Sequence, residues 1–78
     1  MPTILYEQGF RFAFYAADGN EPAHIHVFKD DAEAKWWLDP CREAYSRGYN
    51  AKERRRIEKI VRTYRDYLLE EWKRFFGA

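Results

Sequence analysis

Cysteine occurs once, as Cys41, so neither an internal disulfide framework nor a multi-cysteine zinc site can form within one chain. The expected compartment is the reducing cytoplasm. Internal repeats, low-complexity tracts and Ser/Gly-rich linkers are also missing, which predicts a single domain over residues 1–78. Nothing approaches the ~18 apolar residues of a membrane span. Met1-Pro2-Thr3-Ile4-Leu5 runs straight into Tyr6, Glu7 and Gln8 without a charged and then apolar leader pattern, so neither a leader nor a membrane partner is expected.

What the chain does have is rings. Six Phe, six Tyr and three Trp make it 19% aromatic, and rings supply apolar area that 78 residues would otherwise lack. Charge is unevenly spread behind a net +1. Residues 1–49 hold five basic and eight acidic groups, whereas residues 50–78 hold nine basic and five acidic groups. The C-terminal part is therefore a polarised basic element, which bears on partners more than on fold.

The hydrophobic period changes near residue 50. Before it, alternation predicts strands: Thr3 to Tyr6, then Phe10 to Tyr15 with Phe10, Phe12 and Phe14 on one face. A turn over Ala17-Asp18-Gly19-Asn20-Glu21-Pro22 leads to His24-Ile25-His26-Val27-Phe28. There His24, His26 and Phe28 face one side, and Ile25 and Val27 the other. Glu33 to Leu38 separates Ala34, Trp36 and Leu38 from Glu33, Lys35 and Trp37, with Trp37 the more exposed of the adjacent tryptophans. Ala44-Tyr45 is ambiguous, so the strand region, 3–46, is expected to hold about four strands. From Asn50 the period is helical. Asn50 and Glu53 form a capping box. Ile57, Ile60, Val61, Tyr64, Leu68, Trp72 and Phe75 lie on one stripe. The fold class read from this is α+β, an antiparallel sheet covered by one long C-terminal helix over 51–76. Such a helix would be roughly 37 Å long and would overhang its sheet. Exposed Trp72, Phe75 and Phe76 at the overhang would favour a homodimer.

The sharpest chemical feature is the pair His24 and His26, at i and i+2 on one face of a strand. Acting as proton-transfer groups on RNA, they would be the catalytic residues, with Arg11, Tyr15, Lys35 and Trp37 holding phosphate or base if the strands form a meander. As metal ligands the two fall short of the three protein donors a catalytic ion needs, with Asp18, Glu21, Glu33 and Asp39 as the available carboxylates. No metal and no cofactor is therefore assigned. The plain structural alternative is that both rings stack and hydrogen-bond. On the helix, Arg55, Lys59 and Arg62 point away from the core and form a candidate nucleic-acid ridge. Against it, Arg54–Glu58, Glu58–Arg62, Arg62–Asp66 and Glu70–Arg74 all have ion-pair spacing.

Met1-Pro2-Thr3-Ile4, Gly9-Phe10-Arg11-Phe12 with Phe14-Tyr15, Gly19-Asn20-Glu21-Pro22 before His24-Ile25-His26-Val27, and Glu33-Ala34-Lys35 with Trp37-Leu38-Asp39-Pro40 together resemble the small prokaryotic family called domain of unknown function 4160. Gly48, the acidic-basic helix and terminal Trp72 and Phe75-Phe76-Gly77 agree. Pro22-Ala23 departs from the two prolines usual in that family. The resemblance implies a companion protein encoded in the same operon and a toxin–antitoxin component, with no catalytic residue attached. Three readings follow: a module component acting on RNA, enzyme status open; a non-enzymatic domain binding its neighbour-encoded partner; and, as a minor alternative, a metal-binding module.

Overall fold

Alternating rings and polar groups become a five-stranded antiparallel meander in the computed structural model, which describes residues 3–77. Its strands are β1 (Thr3–Glu7), β2 (Phe10–Ala13), β3 (His24–Lys29), β4 (Ala32–Leu38) and β5 (Cys41–Arg47), paired in that order. Three of the four connections are tight. Gln8 and Gly9 both take positive φ between β1 and β2, the backbone that a two-residue hairpin turn requires. The fourth, between β2 and β3, is longer and carries a 3-10 segment, Ala16–Asn20.

Register sorts the two faces. Phe12 pairs with Val27, Val27 with Ala34, and Ile25 with Trp36, so one face is apolar. Phe10, Phe12, Ile25, Val27, Ala34 and Leu38 on it have no exposed surface. Two helices cover them, α1 (Ala51–Thr63) and α2 (Arg65–Phe76). Ile57, Ile60 and Val61 come from α1, Leu68 and Trp72 from α2, closing one core. Asn50 caps α1 as its sequence predicts: the Glu53 amide donates to Asn50 Oδ1 at 2.8 Å, and the Asn50 amide donates to Glu53 Oε1 at 3.0 Å.

The α+β class, an antiparallel sheet covered by the helical C-terminal part, is as expected, and two details differ. The sheet has five strands where about four were expected, because β5 is an edge strand without an apolar stripe; cross-strand polar contacts, Tyr45 and Arg47 to Glu33 at 2.7 and 3.1 Å, help hold it. The long helix is two helices, divided at Tyr64, whose φ of −100° and ψ of 12° leave the helical region. The ladder bonds from Tyr64 to Ile60 and from Leu68 to Tyr64 persist across the break at 2.9 Å. Side chains beside the break are tied to the sheet: the Tyr64 hydroxyl donates to Glu7 at 3.1 Å and Arg65 Nε to the Leu38 carbonyl at 2.7 Å. The expected overhang therefore does not form. Trp72 is buried, Phe76 rests against Phe14 and Gly19, and of the three proposed dimer rings only Phe75 is well exposed. No helix among the described residues is long and apolar enough to cross a membrane.

Candidate metal centre

On the sheet face opposite the main helical cover, which α2 reaches at one end where the Trp72 ring lies 5.1 Å from that of His24, the register aligns three rows. Arg11, Phe28, Glu33 and Arg47 form the first, and Ala13, His26, Lys35 and Tyr45 the second. His24, Trp37 and Arg42 form the third. The meander assumed for the histidine face is thus present, and Arg11, Lys35 and Trp37 share that face with both histidines.

The face is not open where it matters. The Ala16–Asn20 segment folds over it, and His24 is 0% and His26 5% exposed. This closes the solvent access that the proton-transfer reading on RNA requires. The covering segment contributes Asp18, itself only 9% exposed, and its Oδ2 lies 3.2 Å from His24 Nε2 and 3.2 Å from His26 Nε2. That oxygen also accepts the Tyr15 backbone amide at 2.8 Å, which fixes the carboxylate over the sheet. One ligand atom from each of the three residues can be chosen within 4.8 Å of the others.

The outer nitrogen of His24 defines its tautomer. His24 Nδ1 lies 2.9 Å from the Pro22 carbonyl oxygen. A carbonyl only accepts, so Nδ1 carries the hydrogen, and in the neutral ring Nε2 presents a lone pair to Asp18. His26 Nδ1 lies 3.5 Å from Glu33 Oε2, and that carboxylate is anchored by the Tyr45 hydroxyl and by Arg47. Burial pulls the His26 pKa below its ordinary value, outweighing the opposing pull of Asp18, so the neutral ring is favoured at pH 7. Neither Nε2 has a hydrogen-bond partner. With both rings neutral and protonated on Nδ1, two nitrogen lone pairs and a carboxylate meet in this buried space, an arrangement that a bound cation satisfies.

The other predicted site residues are dispersed. Lys35 is engaged by Glu21 and lies over the Trp37 ring at 4.4 Å, and its hydrogen bond holds the Glu21 carboxyl below the usual range. Arg11 lies over Phe28 at 4.8 Å and donates to Thr3. Tyr15 packs edge-on against His26 at 4.5 Å, closing one side of the cluster. Trp37 is half-buried and edge-on to His24 at 5.5 Å. Arg55, Lys59 and Arg62 sit on α1, on the opposite side of the sheet. Sequence reading missed the roles of Glu33, Tyr45 and Arg47 around His26; the alternation that put Glu33 and Lys35 on one face was the signal for the first. Cys41 begins β5, and burial raises its thiol pKa, away from a nucleophile's range.

A model of one family, Domain of unknown function (DUF4160), matches residues 9–73. The chain belongs to the DUF4160 family. No curated protein and no solved structure matches it. The matched span of this DUF4160 protein contains the entire Asp18, His24 and His26 cluster together with Glu33.

Proposed function

We propose that this DUF4160 protein is a metal-binding module that holds one divalent transition-metal ion through Asp18, His24 and His26. The observation that carries the reading is the convergence of two unpartnered Nε2 atoms on one carboxylate oxygen, each at 3.2 Å. With both rings neutral and protonated on Nδ1, two lone pairs and a carboxylate oxygen would face one another, and a single cation would serve all three groups. Donors bound to one ion at about 2.1 Å stand about 3.0 to 3.4 Å apart across octahedral or tetrahedral angles, which matches the 3.2 Å from Asp18 Oδ2 to each Nε2, and one ligand atom from each residue lies within 4.8 Å of the others. Imidazole suits zinc, iron, nickel or copper, where calcium and magnesium prefer oxygen. Three protein donors leave at least one coordination position for water or a small ligand.

The acid–base reading on RNA uses the same histidines and fits this geometry less well. It needs two imidazoles that reach a ribose hydroxyl and a leaving oxygen, yet His24 has no exposed surface and Lys35 is turned to Glu21.

Elemental analysis of untagged protein, with calorimetric titration of zinc and cobalt into chelator-treated samples, tests the metal reading. One ion per chain is expected, with visible absorption from bound cobalt. Asp18→Asn, His24→Gln and His26→Gln should each weaken affinity by at least about 100-fold, since changes to supporting groups alone cost about 10 to 100-fold. Folded wild-type protein that takes up no ion at micromolar concentrations would overturn the assignment.

A further inference from the structure

The second feature singled out in the sequence, the basic ridge, lies outside the metal centre and on the far side of the sheet. In α1, residues 51–63, six basic groups stand against two acidic ones, whereas α2, residues 65–76, holds three of each. The division at Tyr64 is therefore also a division of charge.

The ion pairs expected along the helix largely do not form. Only Glu58–Arg62 closes, at 3.0 Å. Arg54 turns to β5, where its Nε and a terminal nitrogen donate to Glu43 at 3.1 and 2.7 Å. Arg62 and Asp66 fall on opposite sides of the break, and Asp66 pairs with Arg65 at 3.5 Å. Arg74 takes Glu71 instead of Glu70. The two carboxylates of α1 are both committed, Glu53 to the Asn50 cap and Glu58 to Arg62. Lys52, Arg55, Arg56 and Lys59 are left without a carboxylate partner among the described residues, and all four are exposed.

Their positions make a row. At 100° per residue, Lys52, Arg55, Lys59 and Arg62 fall on the arc opposite the buried Ile57, Ile60 and Val61, with Arg56 on its flank. From Lys52 to Lys59 the helix rises about 10 Å. One strand of a duplex presents a phosphate about every 3.4 Å of axis, so the unpaired row spans about three phosphates. The face offers no large apolar side chain. A protein partner generally seats an apolar centre within a polar rim, and this face supplies only the rim. A regularly spaced polyanion needs no such centre.

We propose that the outward face of α1 docks the phosphodiester backbone of a nucleic acid, with Lys52, Arg55 and Lys59 contacting successive phosphates and Arg56 reaching in from the flank. The binding is sequence-independent, because phosphate contacts position a chain without reading its bases. Arginine and lysine serve it differently. Arg55 and Arg56 offer forked donors to phosphate oxygens, and Lys52 and Lys59 offer point charges. The surface does not depend on the metal ion.

Fluorescence anisotropy with labelled single-stranded RNA and duplex DNA of equal length, from about 50 to 200 mM salt, tests the proposal. Three or four phosphates neutralised predict a log–log salt slope near −3, which is a loss of about 60-fold across that range. The triple substitution Lys52→Gln, Arg55→Gln and Lys59→Gln should reduce the slope by about three and weaken binding at least about tenfold at the low-salt end. The double substitution Lys73→Gln and Arg74→Gln on α2 should leave binding unchanged, and so should chelation of metal. Circular dichroism checks that every variant is folded. A stronger response from one probe than the other identifies the backbone preferred. No binding to either probe at about 50 mM salt overturns the proposal, as does a triple variant with the wild-type slope. Binding to polyglutamate as tight as to nucleic acid overturns it too and assigns the face to an acidic protein.

Discussion

Tautomers decide what the buried cluster can do. The Pro22 carbonyl places a hydrogen on His24 Nδ1, and Glu33 Oε2 stands 3.5 Å from His26 Nδ1. Two histidines on one face followed directly from strand period, whereas the companionship of Arg11, Lys35 and Trp37 also needed the meander order that was assumed for the strands. Their burial did not follow. The segment that covers them, Ala16–Asn20, is one short 3-10 turn with no periodic signature, and Asp-Gly-Asn reads equally well as an open turn. A side chain on the other end of β3 carries a prediction of its own. The Tyr49 hydroxyl donates to the Val27 carbonyl at 3.2 Å, and burial pushes its pKa up to about 12. A phenol with a raised folded pKa contributes stability that is complete below pH 10 and is lost as pH rises towards 12. Tyr49→Phe should therefore make stability fall less steeply over pH 10 to 12 in alkaline denaturation. Some slope will remain, because Tyr45 is also raised to about 12.

Among elements, the start of α1 was fully legible and its end was not. A cap is a local bargain between Asn50 and Glu53, three residues apart, so the sequence contains both parties. Asn50→Ala should cost about 1 kcal/mol, measured by urea denaturation at neutral pH. The break at Tyr64 has no such signature. No proline or glycine lies between 50 and 76, and the apolar stripe runs through without a phase change. What accompanies it are contacts from distant parts of the chain, Glu7 and Leu38, which become neighbours only when the meander is built. β5 was hidden for the opposite reason: as a half-exposed edge it needs no apolar rhythm to pair with β4.

For the whole molecule, the two faces of the sheet divide the work: one buries the rings beneath α1 and α2, the other holds the histidine cluster. The basic surface stands on the outer side of the helical layer, so the two candidate sites are separated by the core. Metal uptake should stabilise the entire domain. An ion at 100 times its dissociation constant adds about 2.7 kcal/mol. For a domain of 60 to 100 residues that is a rise in Tm of about 11 to 20 °C, readable by calorimetry with and without zinc, and Asp18→Asn should remove it. The fold class was legible because binary pattern and period agree along almost the entire chain. The ion-pair economy of α1 was not, because Glu43 competes for Arg54 from a strand whose place was unclear.

The Phe76 ring presses on Gly19 so closely that a methyl group there would sit 2.8 Å from a ring carbon. Gly19 adjoins Asp18. The final turn of α2 and the carboxylate donor thus grip the same short stretch of backbone from either side. Under the metal binding proposed above, thermodynamic reciprocity makes a variant that loosens that last turn weaken cation affinity by the same factor with which the cation steadies the turn.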